Sequence, residues 1–300
     1  MIRDIEERTP QWHAVRAENI GGSEIAALWG VQSAYQMSKF TLHHVKTKRI
    51  PEPRLDSERA DWGIEFEPTI ARIAARQRGW QISKGGYATD DSTPGMGCSL
   101  DYVAAAPGFL EQAEGFTGPG IIQIKAIDWL NWRMTWPGGE PTLGIRLQLQ
   151  HELACSGFMW GAIPHLIGGN DLRILHYGRS EKIIGRTREL VTEFWADIAA
   201  GREPNLDGTE STAATLRAIW PEPDPAKTLD LLDHPDAAEI CMAFAAAQAD
   251  RLKSEKIELE AKNRLRHLIG DATTLETQGW IARQAKNGAL RVKEDLRQHG

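Results

Sequence analysis

The chain is poor in the features that mark an exported, a membrane-embedded or a zinc-finger protein. It has three cysteines, Cys98, Cys155 and Cys241, widely spaced and without a Cys-x-x-Cys pair. That spacing argues against a disulfide framework or a zinc site and leaves small buried thiols as the reading. No apolar run approaches the roughly 18 residues that a membrane helix needs. The opening MIRDIEERTPQW is charged and lacks the apolar stretch of a signal peptide, so a cytoplasmic location without membrane attachment is expected. Internal repeats are absent. So is net basic charge: the formal value is −6 at pH 7. This excludes a generally basic nucleic-acid coat protein, but not an enzyme that binds nucleic acid through a local patch.

What is present is ordinary globular material, 41% hydrophobic and 25% charged. Helical patterning is expected within 10–30 (where Ser23 can cap), over 36–47, and over 64–78 with Gly79 as its stop. The period then changes. GMGCSLDYVAAA and GIIQIKAID read as two strands joined by a loop over 107–120. A helix over 141–157, a strand pair over 163–179 and an amphipathic helix ended by Gly201 follow. Residues 205–235 are rich in Pro, Asp and Glu and read as an acidic linker or arm. A long helix over 236–268 and a hairpin turn at Asn287-Gly288 complete the chain. The expected organisation is an α/β core, 1–204, then the linker, 205–235, and a helical appendage ending in a β-hairpin, 236–300.

The stretch IIQIKAIDW, Ile121 to Trp129, places Gln123 and Lys125 on one face of an apolar strand. A buried polar pair is costly unless satisfied. Taken alone, the pair fits a sheet edge or a hydrogen-bonded core, and Asp101 fits a strand-end residue that turns the chain. Taken together, the three form a metal-nuclease pattern. Mg²⁺ takes oxygen ligands and keeps several waters. The Asp101 carboxylate, the Gln123 amide oxygen and the Ile124 carbonyl supply such oxygens, and Lys125 can serve the metal-bound water and the phosphate charge. Trp129, Trp132 and Trp136 share a helical face that suits packing or base stacking. HHVKTKR, His43 to Arg49, suits a solvated helix face or a DNA-backbone contact.

Seven ordered blocks carry a family resemblance: QWHAVRAENIGGSEIAALWG, DWGIEFEPTIA, GCSLDY, IIQIKAIDW, RLQLQHELACSG, HLIGGN and EFWADIAAGREP. Across roughly residues 8–204 the chain resembles the YqaJ-type viral recombinase family, similar to bacteriophage lambda exonuclease and part of the PD-(D/E)xK nuclease superfamily. The resemblance implies a restriction-endonuclease-like core with a mixed central sheet flanked by helices. It implies a phage- or prophage-encoded exonuclease, dependent on Mg²⁺ (or Mn²⁺), that acts 5′ to 3′ on linear duplex DNA. A ring-shaped homotrimer and a single-strand annealing partner come with it. By the same resemblance Asp101 and Gln123 hold metal with Glu67, Lys125 is catalytic, and Gln148 and Gln150 form a QxQ motif beside the site. Arg16, Ser23 and Ser99 match the residues that hold the 5′-phosphate. The chain departs from the family at Leu100 and Tyr102, where SPDG becomes SLDY, and at Gln123, where ExK becomes QxK. The second departure removes one anion and keeps open a DNA-end binding or assembly protein without hydrolysis. A structure-specific endonuclease is the other alternative.

Overall fold

A computed structural model describes residues 2–31, 37–53 and 58–295. The chain divides between Pro223 and Asp224 into two units.

The first unit contains, in order, β1 (Ile2–Arg3), α1 (Pro10–Ala17), α2 (Ile25–Leu28), α3 (Lys39–Lys46), α4 (Glu58–Arg78), β2 (Ile82–Lys84), β3 (Tyr87–Thr89), β4 (Gly97–Ser99), β5 (Tyr102–Ala104), α5 (Phe109–Ala113), β6 (Gly120–Ile122), β7 (Lys125–Ile127), α6 (Trp129–Thr135), α7 (Leu143–Ser156), β8 (Trp160–Ile167), β9 (Asp171–Gly178), α8 (Glu181–Ala199) and α9 (Glu210–Ile219). The main sheet runs β2–β5–β6–β8, with β9 on the far side of β8. It is mixed: β6 is antiparallel to β5 and parallel to β8. A smaller antiparallel sheet, β1–β3–β4, packs with α7.

β7 pairs with β8 in the register that β6 sets, Ile122 opposite Ala162 and Lys125 opposite His165. The two are one strand, broken at Gln123 and Ile124. The cause lies on the neighbour. Gln123 N–H donates to Ala162 O at 2.9 Å. Its own C=O then looks toward residue 164, which is Pro164 and has no N–H to give.

Alternation along this strand sorts its side chains. Ile121 packs with Leu147, Leu149 and Leu153 of α7 and with Ile184, Val191 and Phe194 of α8. Ile122 and Ile124 pack on the other face with Ile70 and Ala74 of α4 and with Trp160. Period two therefore turns Gln123 and Lys125 toward α7.

Several local expectations change. The helix expected over 64–78 begins at Glu58, and α3 covers Lys39–Lys46, with Gln36 outside the described residues. The loop over 107–120 holds α5, fixed by the buried Glu111, which accepts from Arg78 at 3.1 Å and from Trp80 Nε1 at 3.2 Å. The acidic stretch after residue 204 holds α9, whose Thr212 and Thr215 are buried. There Thr212 Oγ1 donates to Ser38 Oγ at 2.8 Å, and the Thr41 and Thr215 hydroxyls lie 2.7 Å apart.

The second unit consists of α10 (Ala237–Ile269), β10 (Thr274–Thr277), β11 (Trp280–Gln284) and β12 (Leu290–Glu294). The three strands form an antiparallel sheet. The expected hairpin turn joins β11 to β12, with Gly288 at φ +80° supplying the left-handed residue. No helix among the described residues is long and apolar enough to cross a membrane.

Candidate active site

The strand break faces α7. Lys125 Nζ donates to Gln148 Oε1 at 3.3 Å, and Gln148 Nε2 donates to Glu152 Oε1 at 3.0 Å. Gln148 and Glu152 are one helical turn apart and share a face. From the neighbouring strand, Asp101 Oδ2 accepts the Ile124 N–H at 2.8 Å. In a strand a residue's N–H and C=O leave on the same side, so the Ile124 carbonyl is offered on Asp101's side. Gln123 is fully buried, and neither atom of its amide has a hydrogen-bond partner among the described residues. The same is true of Glu152 Oε2.

Glu152 is buried and Asp101 half-buried. Burial pushes Asp101 up to about 6; Lys125 opposes the rise and the charge of Glu67 adds to it. Burial pushes Glu152 further, to about 8, and the charge of Asp101 adds to that, against Lys125 and the Gln148 amide. Asp101 ionises first, so its charge falls on Glu152. Glu67 stands on α4, ion-paired with Lys84 at 2.5 Å.

This donor set fits a hard divalent cation. The oxygens of Asp101, Gln123, Ile124 and Glu152 are all of the type such an ion takes. The orphaned oxygens of Gln123 and Glu152, and two carboxyls raised by burial and mutual repulsion, are what a cation would satisfy. Glu152 is the residue that the sequence reading missed. The signal was its spacing: i+4 from Gln148, where Gln150 is i+2 and on the opposite side of the helix. Gln150 in fact reaches away from Lys125. Its Nε2 donates to Gly178 O at 2.9 Å and its Oε1 accepts from Ser180 N at 2.8 Å, tying α7 to the turn between β9 and α8.

Of the three residues matched to phosphate binding, two meet around Trp12. Trp12 Nε1 donates to Ser99 Oγ at 2.6 Å, and the Arg16 guanidinium lies 5.0 Å from the Trp12 ring centre. Arg16 also pairs with Glu52 at 2.7 Å and borders a cleft of about 430 Å³ lined by His13, Lys48 and Arg49. Ser23 is exposed and does not cap α2; Glu24 holds that position. Its neighbour Gly22 lies tight on the Gln148–Glu152 pair, where a Cβ would stand 3.1 Å from Gln148 Cγ and 3.3 Å from Glu152 Oε1.

The basic run from His43 is neither solvated nor available to a DNA backbone in its first half. His43 and His44 are buried, and Lys46 is enclosed with Glu24 at 2.9 Å and the carbonyl of Asn19 at 2.7 Å. The tryptophan stripe also divides. Trp136 is buried against His165, Trp132 lies under Arg173, and Trp129 is exposed beside Arg133.

The fold is that of an alkaline exonuclease. The chain superposes on the alkaline exonuclease LHK-Exo from Laribacter hongkongensis with a TM-score of 0.52 at 19% identity, covering 64% of this chain and 94% of that one. The same enzyme in complex with dAMP gives equal values. A phage-related exonuclease from Haemophilus somnus 129PT gives a TM-score of 0.43 at 10% identity, covering 61% and 96% of the two chains. A comparison with curated proteins returns no match. Residues 11–159 match the YqaJ-like viral recombinase domain.

Proposed function

We propose that this protein is a divalent-metal-dependent deoxyribonuclease that degrades one strand of linear duplex DNA from its 5′ end and leaves a 3′ single strand for recombination. The observation that carries the reading is the meeting of Asp101, Lys125, Gln148 and Glu152 at a strand break. The family and the fold of an alkaline exonuclease support it.

Asp101, Gln123, Ile124 and Glu152 would hold the cation, with Glu67 at the rim. A cation there supplies Lewis acidity toward the phosphate and makes bound water more acidic. The protein's own groups do the rest. Lys125 places an ammonium beside the amide of Gln148, where it offsets charge on the scissile phosphate and orients the attacking water. Gln148 links that ammonium to Glu152, so the two move as a unit. Arg16 and Ser99, gathered around Trp12, offer a charged and a neutral donor to a terminal phosphate, and Ser23 adds a hydroxyl from the turn against Gln148. Mg²⁺ is the expected ion and Mn²⁺ a substitute. A toroidal trimer and an annealing protein as recipient of the product complete the proposal.

One observation favours a second reading. Gln123 brings no charge where the family has a carboxylate, and a chain weakened in catalysis would remain a DNA-end binding protein. End-labelled linear duplex and closed circular duplex, each with and without Mg²⁺, separate the readings. Mg²⁺-dependent release of nucleotides from the linear substrate alone is expected. Binding of ends without release overturns the enzyme, and cutting of the circle makes it an endonuclease.

A further inference from the structure

Three side chains far apart in sequence converge behind the candidate active site. His151 and Cys155 are one turn apart on α7, and Cys98 comes from β4, on which α7 packs. One ligand atom from each, an imidazole nitrogen and two sulfurs, lies within 4.8 Å of the others. A tetrahedral zinc ion with bonds of about 2.3 Å to sulfur and about 2.0–2.1 Å to nitrogen sets its ligand atoms roughly 3.5–3.8 Å apart. Closing the trio on an ion therefore needs shifts of about an ångström or less.

The histidine is arranged as a ligand. His151 Nε2 lies 3.1 Å from Gly97 O. A carbonyl only accepts, so Nε2 carries the proton. That leaves Nδ1 as the acceptor nitrogen of the neutral ring, on the side of the Cys155 thiol. A metal-bound histidine is typically oriented this way, by donating its other N–H to a backbone carbonyl. His151 is 0% exposed, so nothing from solvent competes for that nitrogen. Thiolates and imidazole together select soft or borderline ions over Mg²⁺. The oxygen cluster at Asp101 has the opposite preference, so the two sites do not compete for one ion.

We propose that Cys98, His151 and Cys155 form a buried Zn²⁺ site that fastens α7 to β4. Glu152 is next to His151 on α7, and Asp101 follows β4, three residues after Cys98. The ion would be a positioning element for both carboxylates, taking no part in chemistry, and the inference stands whether or not the chain hydrolyses DNA. With Cys98 at 2% and Cys155 at 3% exposure, the ion would enter during folding and leave slowly.

The test uses the full chain, produced in zinc-supplemented and in cobalt-only medium and desalted through chelator. Elemental analysis is expected to give one zinc per chain. The cobalt form is expected to show a thiolate-to-cobalt charge-transfer band in the near ultraviolet. Cys98→Ser and Cys155→Ser should lose band and metal, while Cys241→Ser, at the exposed cysteine, keeps both. The readouts on the unmutated chain guard against variants that do not fold. A metal-free wild-type chain, a Cys98–Cys155 disulfide detected by mass, or bound cobalt without the charge-transfer band each overturns the proposal.

Discussion

Glu152→Gln isolates the cost of the buried carboxyl. The native group is raised from 4.5 to about 8, with burial as the first cause and the Asp101 charge as the second. Between these values the folded protein holds a proton that the unfolded chain has released. Stability is therefore fully present below about pH 4.5 and is lost as pH rises through about 8. At about 1.4 kcal/mol per unit, the loss from this residue is on the order of 5 kcal/mol. The glutamine keeps the oxygen that accepts from Gln148 and places an amide where Oε2 has no partner among the described residues. In EDTA, urea unfolding at pH 5 and pH 9 should show the wild type losing several kcal/mol across the interval and the variant losing much less. At pH 9 the variant should be the more stable protein and, with Mg²⁺ restored, the less active nuclease. Equal pH slopes for the two proteins would refute the burial of a protonated Glu152.

Four further outcomes follow from the same geometry. Lys125→Ala should abolish Mg²⁺-dependent nucleotide release while leaving duplex-end binding within a few fold; near-normal turnover would remove Lys125 from the chemistry. Gln123→Glu should destabilise the metal-free protein, because it adds a third buried carboxyl, and should regain stability on Mg²⁺ titration monitored by thermal melting; a melting point indifferent to Mg²⁺ would place residue 123 away from the ion. Gln150→Ala should cost about 1–3 kcal/mol in unfolding free energy, by leaving Gly178 O and Ser180 N–H without their partner, with turnover per folded molecule unchanged. A chain ending at Pro223 should melt cooperatively, whereas one ending at Pro204 loses the hydroxyl contacts of Thr212 and Thr215 and should melt several degrees lower; identical melting of the two would show that α9 is dispensable.

Much of this was legible in the chain because strand and helix periods act locally. The facing of Gln123 and Lys125 follows from alternation, and the Asn287-Gly288 turn from the left-handed residue that it requires, whereas the break at Gln123 and Ile124 was not legible because its cause lies on β8. Asp101 was legible as a strand-end carboxylate. Glu152 was not, because a glutamate in a helix looks the same whether it meets water or a lysine, and only the packing of α7 on the sheet decides. Gln150 points elsewhere because two residues along a helix is slightly more than a half-turn. The histidines of α3 read as surface because their neighbours are basic, yet Phe40 and Phe194 enclose them. Cys98, His151 and Cys155 had no motif, since a strand and a helix must meet before their spacing exists.

Pro164 gives control of the site to a residue that takes no part in it. The proline withholds one donor from the adjacent strand, and the strand answers by opening at Gln123 and Ile124, the two residues proposed to offer oxygens to the cation. An alanine at 164 would return that donor without adding bulk. The ladder could then close through Gln123, and the gap would shrink into ordinary sheet. Catalytic competence in this molecule is thus tuned by omission. A substitution that improves the sheet would impair the enzyme, so screens that select for stability alone would tend to select against its activity.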